Sequence, residues 1–244
     1  MSELGSRARI GLIVPSVNTV AEPEMNQMKP RGVTVHAARI LIPSDISSLN
    51  AFTQMCEVGC QNLEKAVKEL ATAQVDLYSF AFTAGSFFRG SGWDEEIANQ
   101  VEKFGKAPCV VTSTAAMNAL KAYKVKKVAI VSPYAIANDL LKKFVQGKGI
   151  EVLRMEGLTL SSAQEEGRQT SSTFKNLVQQ ADVPEAEAIF VACTNFATVN
   201  HLDQLEKSLG KLIISANQAT FWASLRRLGI KDKIEGFGRL LRGK

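Results

Sequence analysis

A single thiol stands where an apolar strand runs out into a polar loop. In Ala188-Ile189-Phe190-Val191-Ala192-Cys193-Thr194-Asn195-Phe196, a brief apolar run with β-branched and aromatic residues reads as a buried strand over 189–192. Cys193 falls at its carboxyl end, where open parallel α/β sheets bind their ligands. A lone cysteine is as readily a small buried hydrophobe as a reactive group. What singles this one out is a second copy of the stretch. Tyr78-Ser79-Phe80-Ala81-Phe82-Thr83-Ala84-Gly85 aligns with it through a shared Ala-X-Thr, and Phe82 occupies the place of Cys193.

The elements that must position these residues repeat as well. An apolar strand over 9–14 ends at Pro15, and Ser16, Asn18 and Thr19 can cap the helix that follows. Glu22 and Glu24 fall near that helix start, where acids are favoured. A strand over 33–42, one long helix over 49–71 and a strand over 76–81 come next. Thr83-Ala84-Gly85-Ser86 reads as a turn, with Gly85 free to take positive φ and exposed amides forming an anion-binding concavity. A helix over 94–104 and a strand over 108–111 follow, and Thr112-Ser113-Thr114 caps a helix over 115–123.

Then the pattern restarts. Residues 127–134 repeat the basic residue, apolar strand and proline of 9–15, leading to Tyr134, Asn138 and a helix to about residue 146. A strand over 149–155, a loop over 157–162, a helix over 171–181, the Cys193 strand, a helix over 201–209, a strand from Leu212 and a helix over 219–228 complete the second unit. The strand-ending prolines lie 118 positions apart and the Ala-X-Thr stretches 111 apart. Strands alternating with helices imply parallel sheets and right-handed crossovers. The expected fold is α/β: two pseudo-symmetric lobes, each a four-stranded parallel sheet flanked by helices, with the active site between them. The expected division is 1–111 plus 215–244 for one lobe and 112–214 for the other.

Composition narrows the function classes. The chain has 244 residues, 45% hydrophobic and 22% charged, as in an ordinary globular protein. No apolar run nears the roughly 20 residues that span a bilayer, and residues 1–9 lack the apolar core of a signal peptide, so a cytoplasmic protein without a membrane partner is expected. The net charge of +5 is scattered, without the interleaved aromatics of a nucleic-acid surface. Cys56 and Cys60 share a helical face, but the two histidines, His36 and His201, lie far from them in sequence. Neither a zinc site nor a disulfide framework is expected. No GxGxxG or P-loop motif calls for a nucleotide cofactor. Self-association into a homo-oligomer is left open.

Four strand-end loops should therefore meet. They pool Cys193, the phenol of Tyr134, the hydroxyls of Ser16, Thr19, Thr83, Ser86 and Thr194, and the amides of Asn18 and Asn195. No histidine or carboxylate is evident beside the thiol, and His201, eight residues on, belongs to the next helix. Neutral donors of this kind suit a carboxylate or an enediolate, and their value rises in a site closed to water. A thiol, ordinarily ionising near 8.5, can move a proton at carbon beside them.

These residues resemble the aspartate/glutamate racemase superfamily, in the branch of maleate cis-trans isomerases and arylmalonate decarboxylases. Gly11-Leu12-Ile13-Val14-Pro15-Ser16-Val17-Asn18-Thr19 with Glu22 is similar to the isomerases' first loop. Ser86-Phe87-Phe88-Arg89-Gly90 resembles the decarboxylases' turn after the third strand, and Phe221-Trp222 with residues 236–240 resembles their C-termini. The resemblance implies an enzyme that needs no cofactor or metal. It places Pro15, Asn18, Phe82, Thr83, Ala84, Gly85, Tyr134, Thr194 and Asn195 around a small carboxylate substrate. Racemases and isomerases of the group use two cysteines. Here the second matches Cys193 and the first matches Phe82, as in decarboxylases, which lack the first thiol. Where decarboxylases have a small residue this chain has Phe82, Ala84 lacks the family's hydroxyl, and Ala163 stands at the isomerases' second asparagine. The leading expectation is decarboxylation of a malonate-like acid, with Cys193 protonating the enediolate. Isomerisation of a maleate-like diacid and a non-catalytic carboxylate-binding protein are the alternatives.

Overall fold

The two strand-and-proline units fold as two parallel sheets with the same strand order. The computed structural model describes residues 3–243. In the first unit, β1 (Ala8–Pro15), α1 (Ala21–Met28), β2 (Val33–Ile40), α2 (Leu49–Gln61), α3 (Leu63–Thr72), β3 (Leu77–Phe80), α4 (Thr83–Phe87), α5 (Trp93–Gly105) and β4 (Cys109–Val111) build a sheet ordered β2-β1-β3-β4. After α6 (Thr112–Ala122) the second unit runs β5 (Lys127–Ser132), α7 (Asn138–Gly147), β6 (Glu151–Gly157), α8 (Ala163–Glu166), α9 (Ser171–Ala181), β7 (Ala188–Val191), α10 (Leu202–Leu209) and β8 (Leu212–Ser215). Its sheet is ordered β6-β5-β7-β8, and α11 (Ala216–Arg227) and α12 (Arg239–Gly243) close the chain. All pairings between these strands are parallel. β3 and β7 are buried along their whole length and β1 exposes only Arg9, because helices cover both faces.

Several elements differ from their expected form. The single helix over 49–71 is two helices broken at Asn62, whose side chain donates to Leu41 O at 2.9 Å and Val58 O at 3.1 Å. A side chain that competes for a helical carbonyl favours such a break. β2 stops two residues early, and β6 begins and ends two residues late. The 83–86 turn is the helix α4, and Gly85 has no positive φ. Glycine is needed there for room: a Cβ on Gly85 would overlap the Phe82 ring, and one on Gly59 of α2 would come within 2.8 Å of it. Thr112, Ser113 and Thr114 form the first turn of α6 and do not cap it with their side chains. The helix expected from residue 219 starts at Ala216, where Ser215 and Gln218 form a reciprocal capping box.

Hydroxyls and one carboxyl bind the halves together. α6 and α11 pack side by side, and Thr220 Oγ1 donates to Thr112 Oγ1 at 2.9 Å. α11 also lies on β3, where Ser224 and Ser79 share a hydrogen bond of 2.7 Å. Glu24 does more than complement a helix start. Buried in α1, it accepts from the Thr198 and Val199 amides at 2.5 and 3.0 Å and from Asn217 Nδ2 at 2.7 Å. Burial nonetheless lifts its carboxyl from 4.5 to about 7. A folded-state value above the unfolded one makes its contribution complete below about pH 4.5 and lost as pH rises through about 7.

Two outcomes follow from this packing. Glu24→Ala leaves three buried donors unpaired and should lower unfolding free energy by about 2–4 kcal/mol in urea titrations, with a shallower loss of stability between pH 5 and 8 than the native chain shows. Gly85→Ala should destabilise by roughly 1–3 kcal/mol through overpacking, and adding Phe82→Ala should recover part of that loss. Additive effects of the two would remove the ring–glycine contact as the cause.

Candidate active site

The carboxyl ends of β1, β3, β5 and β7 point into one cavity between the sheets. It is tight, with a free interior of about 20 Å³, room for roughly one water molecule. Pro15 lines it from the end of β1 and Asn18 from the loop that follows, Phe82, Thr83 and Ala84 from the end of β3, Tyr134 from the loop after β5, and Cys193, Thr194 and Asn195 from the loop after β7. Gly85 does not line it, standing instead behind the Phe82 ring. Val17, Ile42 and Met55 add apolar wall that the strand-end pattern could not announce, since Ile42 and Met55 come from a loop and from α2. The Tyr134 ring is held by Phe52 of α2, centroids 5.5 Å apart, and Phe87 of α4, 6.3 Å apart.

Most of the donors in the sequence inventory are already spent. Ser86 Oγ donates to Thr83 O at 2.8 Å and shares a 2.5 Å bond with Ser113 Oγ, whereas Ser16 Oγ serves as an acceptor, for the Ile42 amide at 3.2 Å. The Tyr134 hydroxyl donates to Ala192 O. Thr194 Oγ1 donates to Ala81 O at 3.0 Å and accepts from Asn18 Nδ2 at 3.2 Å. Asn18 Oδ1 takes the Val20 and Ala21 amides, both at 2.9 Å, which leaves one Nδ2 hydrogen uncommitted. Asn195 Oδ1 accepts from the Thr19 amide at 3.0 Å and its Nδ2 donates to Ala163 O at 3.0 Å. Thr83 differs: its hydroxyl is buried on the cavity wall without a hydrogen-bond partner. The first amides of α4 have no intrahelical acceptor, and no side chain caps them.

The expectation that no carboxylate accompanies the thiol is overturned. Cys193 Sγ, 4% exposed, lies 3.3 Å from Glu166 Oε2 and accepts from the Asn195 amide at 3.2 Å. Glu166 sits on α8, a short helix missing from the sequence-based assignment. Ala163 and Glu166, three apart, share its inward face and both line the cavity. Glu165 turns outward and takes the hydroxyls of Ser161 and Ser162 at 2.7 and 3.0 Å. The only local cue was the Ser-Ser-X-X-Glu-Glu order, which reads equally well as a solvated helix start. Burial raises Glu166 to about 8, opposed by its bond from Cys193, and raises Cys193 well above the ordinary thiol value, with Glu166 adding to the shift. His201 is outside the cavity, half-buried beside Phe174 at the start of α10, and burial lowers its ionisation.

Comparison with known proteins agrees with this architecture. The maleate isomerase of Geobacillus stearothermophilus is 25% identical over 97% of this chain and 98% of its own. The arylmalonate decarboxylase of Bordetella bronchiseptica is 22% identical over 93% of this chain and 96% of its own. The crystal structure of a maleate isomerase variant from Pseudomonas putida S16 with maleate superposes with a TM-score of 0.90 at 23% identity, covering 97% of this chain and 98% of that one. Both relatives are named as enzymes, and solved structures of a maleate isomerase and of an arylmalonate decarboxylase share the two-sheet α/β fold. The family model described as arylmalonate decarboxylase matches residues 10–241, nearly the whole sequence, and on that match the chain belongs to the arylmalonate decarboxylase family.

Proposed function

We propose that this enzyme decarboxylates a small malonate-like acid without a cofactor, and that Cys193 protonates the resulting enediolate. The observation that carries the reading is the pairing of one cavity thiol with Phe82 at the matching strand end, which argues against chemistry needing a thiol on each side. One carboxylate of the substrate lies against the Thr83 hydroxyl, the first amides of α4 and the spare hydrogen of Asn18. The other points toward the apolar wall of Val17, Ile42, Met55 and Phe82. Apolar surroundings disfavour that charged group and favour its loss as neutral CO2. The electron pair of the breaking carbon–carbon bond then moves onto the remaining carboxylate, where the neutral donors stabilise the enediolate. The Cys193 S–H proton passes to the α-carbon, forming C–H and leaving a thiolate.

A second reading, cis-trans isomerisation of a maleate-like diacid by Cys193 alone, draws on the Asn18 amide facing the cavity and on the maleate isomerase relatives. NMR of maleate incubated with the enzyme separates the two. Fumarate without CO2 selects isomerisation, and CO2 from a substituted malonate selects decarboxylation.

Cys193→Ala should reduce CO2 release from active substituted malonates by about 1,000-fold or more, within the range ascribed to proton transfer and positioning combined. Turnover equal to native would take Cys193 out of the reaction. Thr83→Val, nearly isosteric, should lower kcat by about 100-fold through loss of one oxyanion donor, with a smaller change in KM. A change confined to KM would assign Thr83 to ground-state binding alone.

A further inference from the structure

The proposed reaction leaves a thiolate in a nearly dry pocket, and the enzyme must reload that sulfur before another turnover. Glu166 is the one carboxyl on the cavity wall among the described residues, and its Oε2 is 3.3 Å from Cys193 Sγ. We infer that Glu166 is the proton reservoir of Cys193, returning a proton to the sulfur after each transfer to carbon.

The geometry allows few other sources. Cys193 is 4% exposed and its neighbours Thr194 and Asn195 are buried, so bulk water has little access to the sulfur. Besides Glu166, the Asn195 amide contacts the thiol at 3.2 Å, and a backbone amide does not give up its proton. The Tyr134 hydroxyl is committed to Ala192 O.

Glu166 is also fixed in place. The Ala163 amide donates to Ser44 O at 2.8 Å, Ala163 O accepts from Asn195 at 3.0 Å, and Ser162 bridges to Asp45. After α8 the chain turns at Gly167, where a Cβ would come 2.8 Å from both Asn195 Oδ1 and Thr19 Oγ1. The residue acts through Cys193 and is a positioning and proton-holding group.

The titratable groups around the pair suit the role. Tyr134, from the loop after β5, and Cys56, from α2, face Glu166, and burial pushes both well above their ordinary values, so they stay neutral. Glu24, from α1, faces Cys193 and adds a smaller negative influence. With its carboxyl raised by burial to about 8, Glu166 is mostly protonated at neutral pH and can donate.

The cycle balances. Loss of CO2 breaks the carbon–carbon bond and leaves the enediolate. The S–H bond breaks as C–H forms. The Glu166 O–H bond then breaks as S–H re-forms. The carboxylate regains its proton from water when the monoacid leaves. Above about pH 8 the reservoir is empty and turnover falls.

The direction of proton flow rests on the decarboxylase reading, so the first test needs no substrate. Thiolate absorbance is followed from pH 6 to 11 in native protein and Glu166→Gln, each with its Cys193→Ala counterpart subtracted. Replacing the carboxyl by a neutral amide should lower the Cys193 transition by one pH unit or more. An unchanged transition would overturn the inference. If Glu166→Gln does not fold, carboxyl resonances of 13C-glutamate-labelled native and Cys193→Ala proteins read the same coupling. A resonance titrating near pH 8 that moves on loss of the sulfur supports the inference, and none moving overturns it.

The second test is CO2 release from methylmalonate and phenylmalonate across pH. The native alkaline limb should fall near pH 8. Glu166→Gln should lose at least tenfold in kcat at pH 7, keep KM within threefold and lack that limb, whereas Glu166→Asp should retain it. A limb unchanged in Glu166→Gln refutes the reservoir. If native enzyme releases no CO2 while the thiol transition shifts, the decarboxylase reading fails and the Glu166–Cys193 pairing stands.

Discussion

The site depends on one hydroxyl that ties two strand ends together. Thr194 Oγ1 donates to Ala81 O across the gap between the sheets and accepts from Asn18. Those three residues follow or end β7, β3 and β1, so one side chain holds three of the four strand ends at fixed separation. The Thr19–Asn195 bond and the three bonds to Glu24 extend the seam on either side. Net worth per neutral hydrogen bond is only about 1 kcal/mol, but each buried group left unpaired costs more. The seam therefore fixes one arrangement of the halves more than it adds stability.

Fixing the halves in this way makes them chemically unequal. The duplication would place matching groups at Phe82 and Cys193, yet one is a ring and the other a thiol. The ring needs space, and Gly59 and Gly85 provide it by lacking side chains. Phe82 thus turns one wall apolar, while the opposite wall carries the sulfur. In the proposed reaction a substrate between them would meet hydrocarbon on one side and a proton donor on the other. That asymmetry suits losing a charged group on one side of a carbon and gaining a proton on the other.

Closure raises a second demand, because buried ionisable groups are costly unless neutral or paired. Glu24 meets three donors and still has its carboxyl held at about 7, while Glu166 meets a thiol and is held at about 8. The first serves the seam and the second faces the cavity. Their environments give two residues of the same type separate roles. The surrounding phenol and thiols remain neutral, so the cavity carries little charge until a substrate brings it.

Much of this was legible in the chain itself. Short apolar runs ended by proline or by Ala-X-Thr are local signals, and their repetition 118 and 111 positions apart implied two parallel sheets. The placement of Cys193 and Phe82 at equivalent strand ends followed, because a strand's end is set by its own residues. Helix breaks and side-chain partners were not legible. Asn62 interrupts a helical pattern by reaching Leu41 O, and Ser16 and Ser86 spend their hydroxyls on groups remote in sequence. Glu166 is the sharpest instance. Beside Glu165 it looks like surface charge, and only the straps from α8 to Ser44 and Asn195 turn it toward the sulfur. Periodicity fixed the scaffold because it acts between near neighbours. Contacts between residues far apart in the chain chose which carboxyl faces the thiol, and those contacts exist only once the sheets have met.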